Sequence, residues 1–153
     1  MAMRIEEGGL DDERVIALLK VHVTRARAET AACSAHALDV SGLKRPAIRF
    51  WTIWDGETLL GTAALRRLDA AHGEIKSMFV ADTARRKGAG SAILTHVLAQ
   101  AKAMGMGRAS LETGSWDYFA PARALYAKHG FVECGPFEGY APDPNSTFMT
   151  RAL

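Results

Sequence analysis

The stretch "AIRFWTIWDGETLLGTAALRRL", Ala47 to Leu68, constrains this chain more than any other. Two runs of β-branched, aromatic and aliphatic residues flank Asp55-Gly56, a dipeptide favoured where both residues of a tight turn need positive φ. The pattern predicts a β-hairpin. Another strand-like run, "EIKSMFV" from Glu74 to Val80, follows after only "DAAHG". A connection that short cannot carry a crossover, so the three strands are expected to be antiparallel neighbours.

Other elements follow from period and punctuation. "MRIEE" reads as a first strand. "DDERVIALLKVHVTRARAE" reads as a helix, with acids in its first turn and Val15, Leu18, Leu19 and His22 at helical spacing. A short helix is expected around His36 to Leu43, ended by Pro46. Beyond Gly88, the positions Ile93, Leu94, Val97, Leu98 and Ala101 form one helical face, and Gly105 supplies a stop. "RASLETGS" is a strand; Pro121 opens a helix that Gly130 ends. "FVEC" and "STFMTRAL" are strands around the loop "GPFEGYAPDPN". The order is neither strict βαβ alternation nor all β. It fits a single α/β domain of the α+β type, residues 1–153, with a mixed, mainly antiparallel sheet and helices on both faces.

The chain has 153 residues, 48% of them hydrophobic and 24% charged, enough to bury a core. A net charge of +2 is too mild for a nucleic-acid protein. No stretch approaches the roughly 18 apolar residues of a membrane span, and no signal peptide is evident, so a cytoplasmic location is expected. Cys33 and Cys134 form no C-x-x-C pair and the five histidines no metal-ligand spacing, so neither zinc nor a disulfide is expected.

The functional signal is local. In "VADTARRKGAGSAILTHVLAQA", Arg85, Arg86 and Lys87 run into Gly88-Ala89-Gly90 and a helix begins at once. A helix N-terminus exposes unpartnered amides and partial positive charge, and glycines let an anion approach the backbone. The arrangement suits a pyrophosphate; an ordinary solvated turn is the alternative. Lys87 precedes its glycine, which excludes a Walker A loop, and Ile93 stands where a dinucleotide fingerprint needs its third glycine.

These residues resemble the GNAT N-acetyltransferases. Arg85 to Gly90 matches the family's R/Q-x-x-G-x-G/A loop, five residues beyond "MFV". "PARALYAKHGF", Pro121 to Phe131, resembles its A-x-x-L-Y-x-x-x-G-F segment. "SLETGS", "FAPARALY" and "PFEGYAPDPNSTFM" are similar to a subgroup of small bacterial members. The resemblance implies the acyl-CoA N-acyltransferase fold and an acetyl-CoA-dependent N-acetyltransferase. The acceptor would be a primary amine of a small molecule or an amino terminus. By resemblance, backbone groups around Met78, Phe79 and Val80 would bind the pantetheine arm of coenzyme A. Arg85, Arg86, Lys87, Gly88, Ala89, Gly90 and Ser91 would hold its pyrophosphate. Phe119 takes the place of a common cofactor-contacting asparagine.

Acetyl transfer to an amine needs an unprotonated nitrogen, stabilisation of an oxyanion and a proton for the departing thiolate. By resemblance, Tyr126 supplies that proton and Glu74 is the base. Period-2 alternation puts Glu74, Lys76, Met78 and Val80 on one face of their strand. His22, His36, Asp39, Trp51, Trp54, Trp116, Tyr118, Phe119 and Tyr140 either wall the acceptor pocket or simply pack. The expected partners are a small-molecule or peptide amine, with no nucleic acid or membrane, and a homodimer left open. A non-catalytic acyl-CoA-sensing module is the alternative reading.

Overall fold

The computed structural model describes residues 2–31 and 34–153, so Cys33 lies outside the described residues. The chain starts with β1 (Met3–Glu7) and α1 (Glu13–Ala28), whose first turn is capped by Asp12 accepting from the Arg14 amide at 2.8 Å. The expected short helix shrinks to α2 (Val40–Leu43). The Asp39 carboxylate accepts from the Gly42 amide at 2.9 Å and fixes the helix start there, leaving His36 in extended chain.

The hairpin forms as β2 (Ile48–Asp55) and β3 (Thr58–Arg67), turning at Gly56 with φ 58°, and β4 begins two residues before the expected Glu74, at His72–Val80. Then come α3 (Ala89–Ala103), β5 (Arg108–Gly114), α4 (Ala120–Lys128), β6 (Val132–Cys134) and β7 (Ser146–Ala152). One seven-stranded sheet runs β1-β2-β3-β4-β5-β7-β6. Every neighbouring pair is antiparallel except β4 with β5.

Helices cover both faces. On one, Val15 and Leu19 of α1 and Leu43 of α2 pack on Phe50, Trp54 and Ala64. On the other, Ile93, Leu94 and Val97 of α3 and Tyr126 of α4 pack on Trp51, Leu65 and Ile75. Each fully buried large apolar side chain contributes about 1.5–3 kcal/mol, so these two layers hold the sheet. Trp51 and Trp54, two of the expected pocket residues, are therefore core: 2% and 3% exposed, with the Trp54 indole N–H donating to Thr52 Oγ1 at 2.7 Å. No helix among the described residues is long and apolar enough to cross a membrane.

Candidate active site

The site begins where two strands part. β4 and β5 pair from His72↔Arg108 to Ile75↔Leu111 and no further. β4 nevertheless stays on β3 as far as Val80, and β5 stays on β7 as far as Gly114. A bulge at Ser77 coincides with the split. Its φ is 50°, the register on β3 slips between Thr62 and Ala64, and Thr62 Oγ1 donates to the Ser77 carbonyl at 2.8 Å. The Ala81 amide donates to Leu60 O on β3 at 2.8 Å. By the alternation of an extended strand, the amides and carbonyls of Val80 and Met78 face the opposite side, into the gap.

The same bulge corrects the expected alternation. Glu74 and Lys76 share the α1 face, but the extra residue turns Met78 and Val80 into the core under α3. Phe79 turns the other way and meets His22 of α1, ring centroids 4.8 Å apart.

Beyond β4, a 3-10 turn at Asp82–Ala84 leads into left-handed backbone at Arg86 (φ 65°) and Gly88 (φ 83°). The first intrahelical bond of α3 runs from the Ala92 amide to Gly88 O at 3.0 Å. Gly88 provides no side-chain cap, so the amides of Ala89, Gly90 and Ser91 have no intrahelical partner. Gly90 is needed for space: a Cβ there would lie 3.2 Å from Leu125 Cδ2 and 3.4 Å from Val80 Cγ2. Gly88 is needed for conformation, since a Cβ would meet nothing but the φ is left-handed. Gly88→Ala should therefore cost about 1–2 kcal/mol and lower Tm by several degrees. Gly107→Ala, at a glycine that is also open but not left-handed, should melt like the parent. Equal melting of both variants would remove the strain at Gly88.

Charge surrounds these amides unevenly. Arg25 of α1 grips Asp82 through two bonds of 2.9 and 2.8 Å and holds its carboxyl below the usual range. Arg85 shares that acid at 3.4 Å. Arg86 has no ion-pair partner among the described residues and lines the cavity beside Arg85, while Lys87 is exposed and off its wall.

A cavity of about 670 Å³ runs from this loop past Met78 and Val80 to Tyr126, Glu112 and His36. Tyr126 is buried, and burial, then the charge of Glu112, holds its phenol above the ordinary range. It stays a proton donor at any working pH. Burial likewise raises the Glu112 carboxyl, against the charges of His36 and Lys76. His22 also lines the cavity; burial lowers its imidazole to about 4, so it is neutral. Phe119 forms a wall by lying on Gly114, where a Cβ would come 2.1 Å from the ring.

An uncapped helix start, an unpaired strand edge and a glycine floor fit a ligand with a phosphate end and an amide-rich arm. Residues 14–131 match the acetyltransferase (GNAT) family. The chain belongs to that family. This N-acetyltransferase is 42% identical over 151 residues to the uncharacterized N-acetyltransferase YsnE of Bacillus subtilis strain 168, spanning 99% of this chain and 100% of that protein. Its fold matches a GNAT-family acetyltransferase from Staphylococcus aureus Mu50 with a TM-score of 0.77, at 22% identity and over 99% of both chains. It also matches a Bacillus subtilis acetyltransferase crystallised with CoA, TM-score 0.73 at 19% identity over 99% of both chains.

In this acetyltransferase the cavity gathers Met78, Phe79, Val80, Arg85, Arg86, Gly88, Ala89, Gly90, Ser91, Phe119 and Tyr126. Glu74 stands apart. It is 1% exposed and off the cavity wall; Oε2 accepts from Tyr140 Oη at 2.6 Å and faces Lys76 Nζ at 3.4 Å, and Arg66 lies 3.6 Å from Oε1. Of the acceptor-wall residues, His22, His36, Tyr118 and Phe119 line the cavity. Asp39 is spent as a helix cap, and Trp116 is exposed, donating to Asn145 Oδ1 at 3.0 Å. The carboxylate that sequence reasoning missed is Glu112.

Proposed function

We propose that this N-acetyltransferase moves an acetyl group from acetyl-CoA directly to a primary amine of a small molecule or an amino terminus. Tyr126 acts as acid and Glu112 as base. The observation that carries this reading is the parting of β4 from β5 after Ile75↔Leu111, because it joins the uncapped start of α3 to a buried phenol and a half-buried carboxyl in one cavity. The amides of Ala89, Gly90 and Ser91, with Arg86, would hold the pyrophosphate, and the backbone of Met78 and Val80 the pantetheine arm.

The donor supplies an activated thioester carbonyl: a C–N bond forms to the acceptor and the C–S bond breaks. Glu112, in its ionised form, takes a proton from the acceptor ammonium. Tyr126 gives its proton to the departing sulfur and is reprotonated, through solvent, by the second proton that the nitrogen loses on becoming an amide. Burial makes the carboxyl a better base, and it keeps the phenol protonated while making it a weaker acid. Glu74 reads as a positioning residue that anchors Tyr140, and with it the chain between β6 and β7, to the sheet.

Titration calorimetry with acetyl-CoA should give saturable binding with a Kd on the order of 1 μM–1 mM, the range of substrate affinities in working enzymes. Free thiol should then be released when a suitable amine is added. No binding at millimolar acetyl-CoA would end the reading. Binding without thiol release across a broad amine panel would favour an acyl-CoA sensor.

A further inference from the structure

We infer that the acceptor carries a carboxylate next to its amine, as an α-amino acid does, and that Lys76 recognises it. The inference rests on the acyl-transfer reading of the same cavity. Lys76 and Glu112 stand one step beyond the last β4–β5 pair, Ile75↔Leu111, on the same face and where the strands have parted. Both line the cavity. A cation and an anion therefore face one space from adjacent strands.

The cation is not fully used by the protein. The Lys76 side chain is 10% exposed, and Nζ donates to Tyr140 Oη at 3.1 Å and to Glu74 Oε2 at the long distance of 3.4 Å. Glu74 is also faced by Arg66 at 3.6 Å, so two cations share this one buried carboxylate. An ammonium has three donors, and the third has no partner among the described residues.

Two further polar groups on the wall of this cavity have hydrogen-bonding capacity left over. Among the described residues the hydroxyls of Thr30 and Ser77 have no hydrogen-bond partner; the two residues are 9% and 8% exposed, and both line the cavity. A hydrocarbon amine would strip water from Lys76, Thr30 and Ser77 and give nothing back. A carboxylate can accept from Lys76, while the amino group beside it turns to Glu112, which faces the same space from the adjacent strand. His36, set edge-on to Tyr140 at 5.0 Å, closes the flank.

The test compares each proteinogenic L-amino acid with its decarboxylated amine and its carboxamide, with thiol release from acetyl-CoA as readout. The amine is more basic and the amide less basic than the amino acid, so preference over both reports the carboxylate. At least one amino acid should exceed both counterparts in kcat/KM by roughly tenfold to a hundredfold, the worth of hydrogen bonds to a charged group. Lys76→Gln should collapse that ratio, and Lys76→Arg, which keeps the charge, should preserve part of it.

An amine or amide used as well as its amino acid overturns the inference and leaves acyl transfer standing. A ratio that survives Lys76→Gln also overturns it. Silence of all three series overturns the inference alone when another amine, such as a peptide amino terminus, still releases thiol; silence with every amine, in protein that binds acetyl-CoA, removes the transfer reading as well.

Discussion

Tyr126→Phe should lower kcat by roughly 10²–10⁴-fold, the range of general acid–base contributions, while calorimetric affinity for acetyl-CoA stays within a few-fold of the parent. The two readouts separate because the phenol oxygen is all that changes. The ring remains between α4 and the sheet, 5.9 Å from Phe131 and edge-on to it. A departing alkylthiolate resembles the conjugate base of a thiol with pKa near 8.5, so a phenol with an ordinary pKa of about 10 already holds a proton when the thiolate forms. Burial raises the phenol further, and the Glu112 charge adds to that. Raised acids titrate later, so no alkaline fall in kcat near pH 10 should arise from Tyr126. Unchanged turnover would strip Tyr126 of its role. Loss of turnover together with loss of cofactor affinity would make it a packing residue.

Much of the fold was legible because local chemistry and tertiary structure agree. The hairpin forms where Asp55-Gly56 foretold it, although Asp55 ends β2, the two-residue loop is Gly56-Glu57 and Gly56 alone of these takes positive φ; Gly88, Gly105 and Gly130 all adopt the left-handed backbone that punctuation at helix ends requires. The cavity's phosphate end was legible for the same reason: cations, glycines and a helix start are contiguous in sequence. Its other end was not. Whether Glu74 or Glu112 meets the acceptor depends on a bulge at Ser77, a residue with nothing in its type to announce positive φ. It depends also on Tyr140, 66 residues away from Glu74 along the chain, whose hydroxyl occupies that carboxylate. Trp51 and Trp54 misled in the opposite direction, since amphipathic aromatics suit a ligand wall and a core equally well. Only the two-sided cover of β2 by α1 and α3 decides it.

Glu112→Gln should lower kcat/KM by roughly 10²–10⁴-fold and erase the acid limb of its pH profile. The direction follows from the environment. Burial raises the Glu112 carboxyl above the ordinary value of about 4.3, and a base works only when ionised. Activity in the parent should therefore fall as pH drops through that raised pKa, along a limb displaced upward from where an exposed carboxylate would put it. Stability should move the other way. A carboxyl raised on folding binds protons more readily in the native state, so it loses stability as pH climbs from the unfolded value through the folded one. Once ionised, Glu112 is thus a charge held against its environment, and Glu112→Gln should melt no lower than the parent, which excludes unfolding as the cause of lost activity. Glu74→Gln should do the reverse. It removes the buried charge that Arg66, Lys76 and Tyr140 converge on, so Tm should drop markedly while the acid limb persists. If the limb vanished in Glu74→Gln and survived in Glu112→Gln, the base would be Glu74, working past Tyr140, and the carboxyl in the cavity would be there to attract the ammonium rather than to deprotonate it.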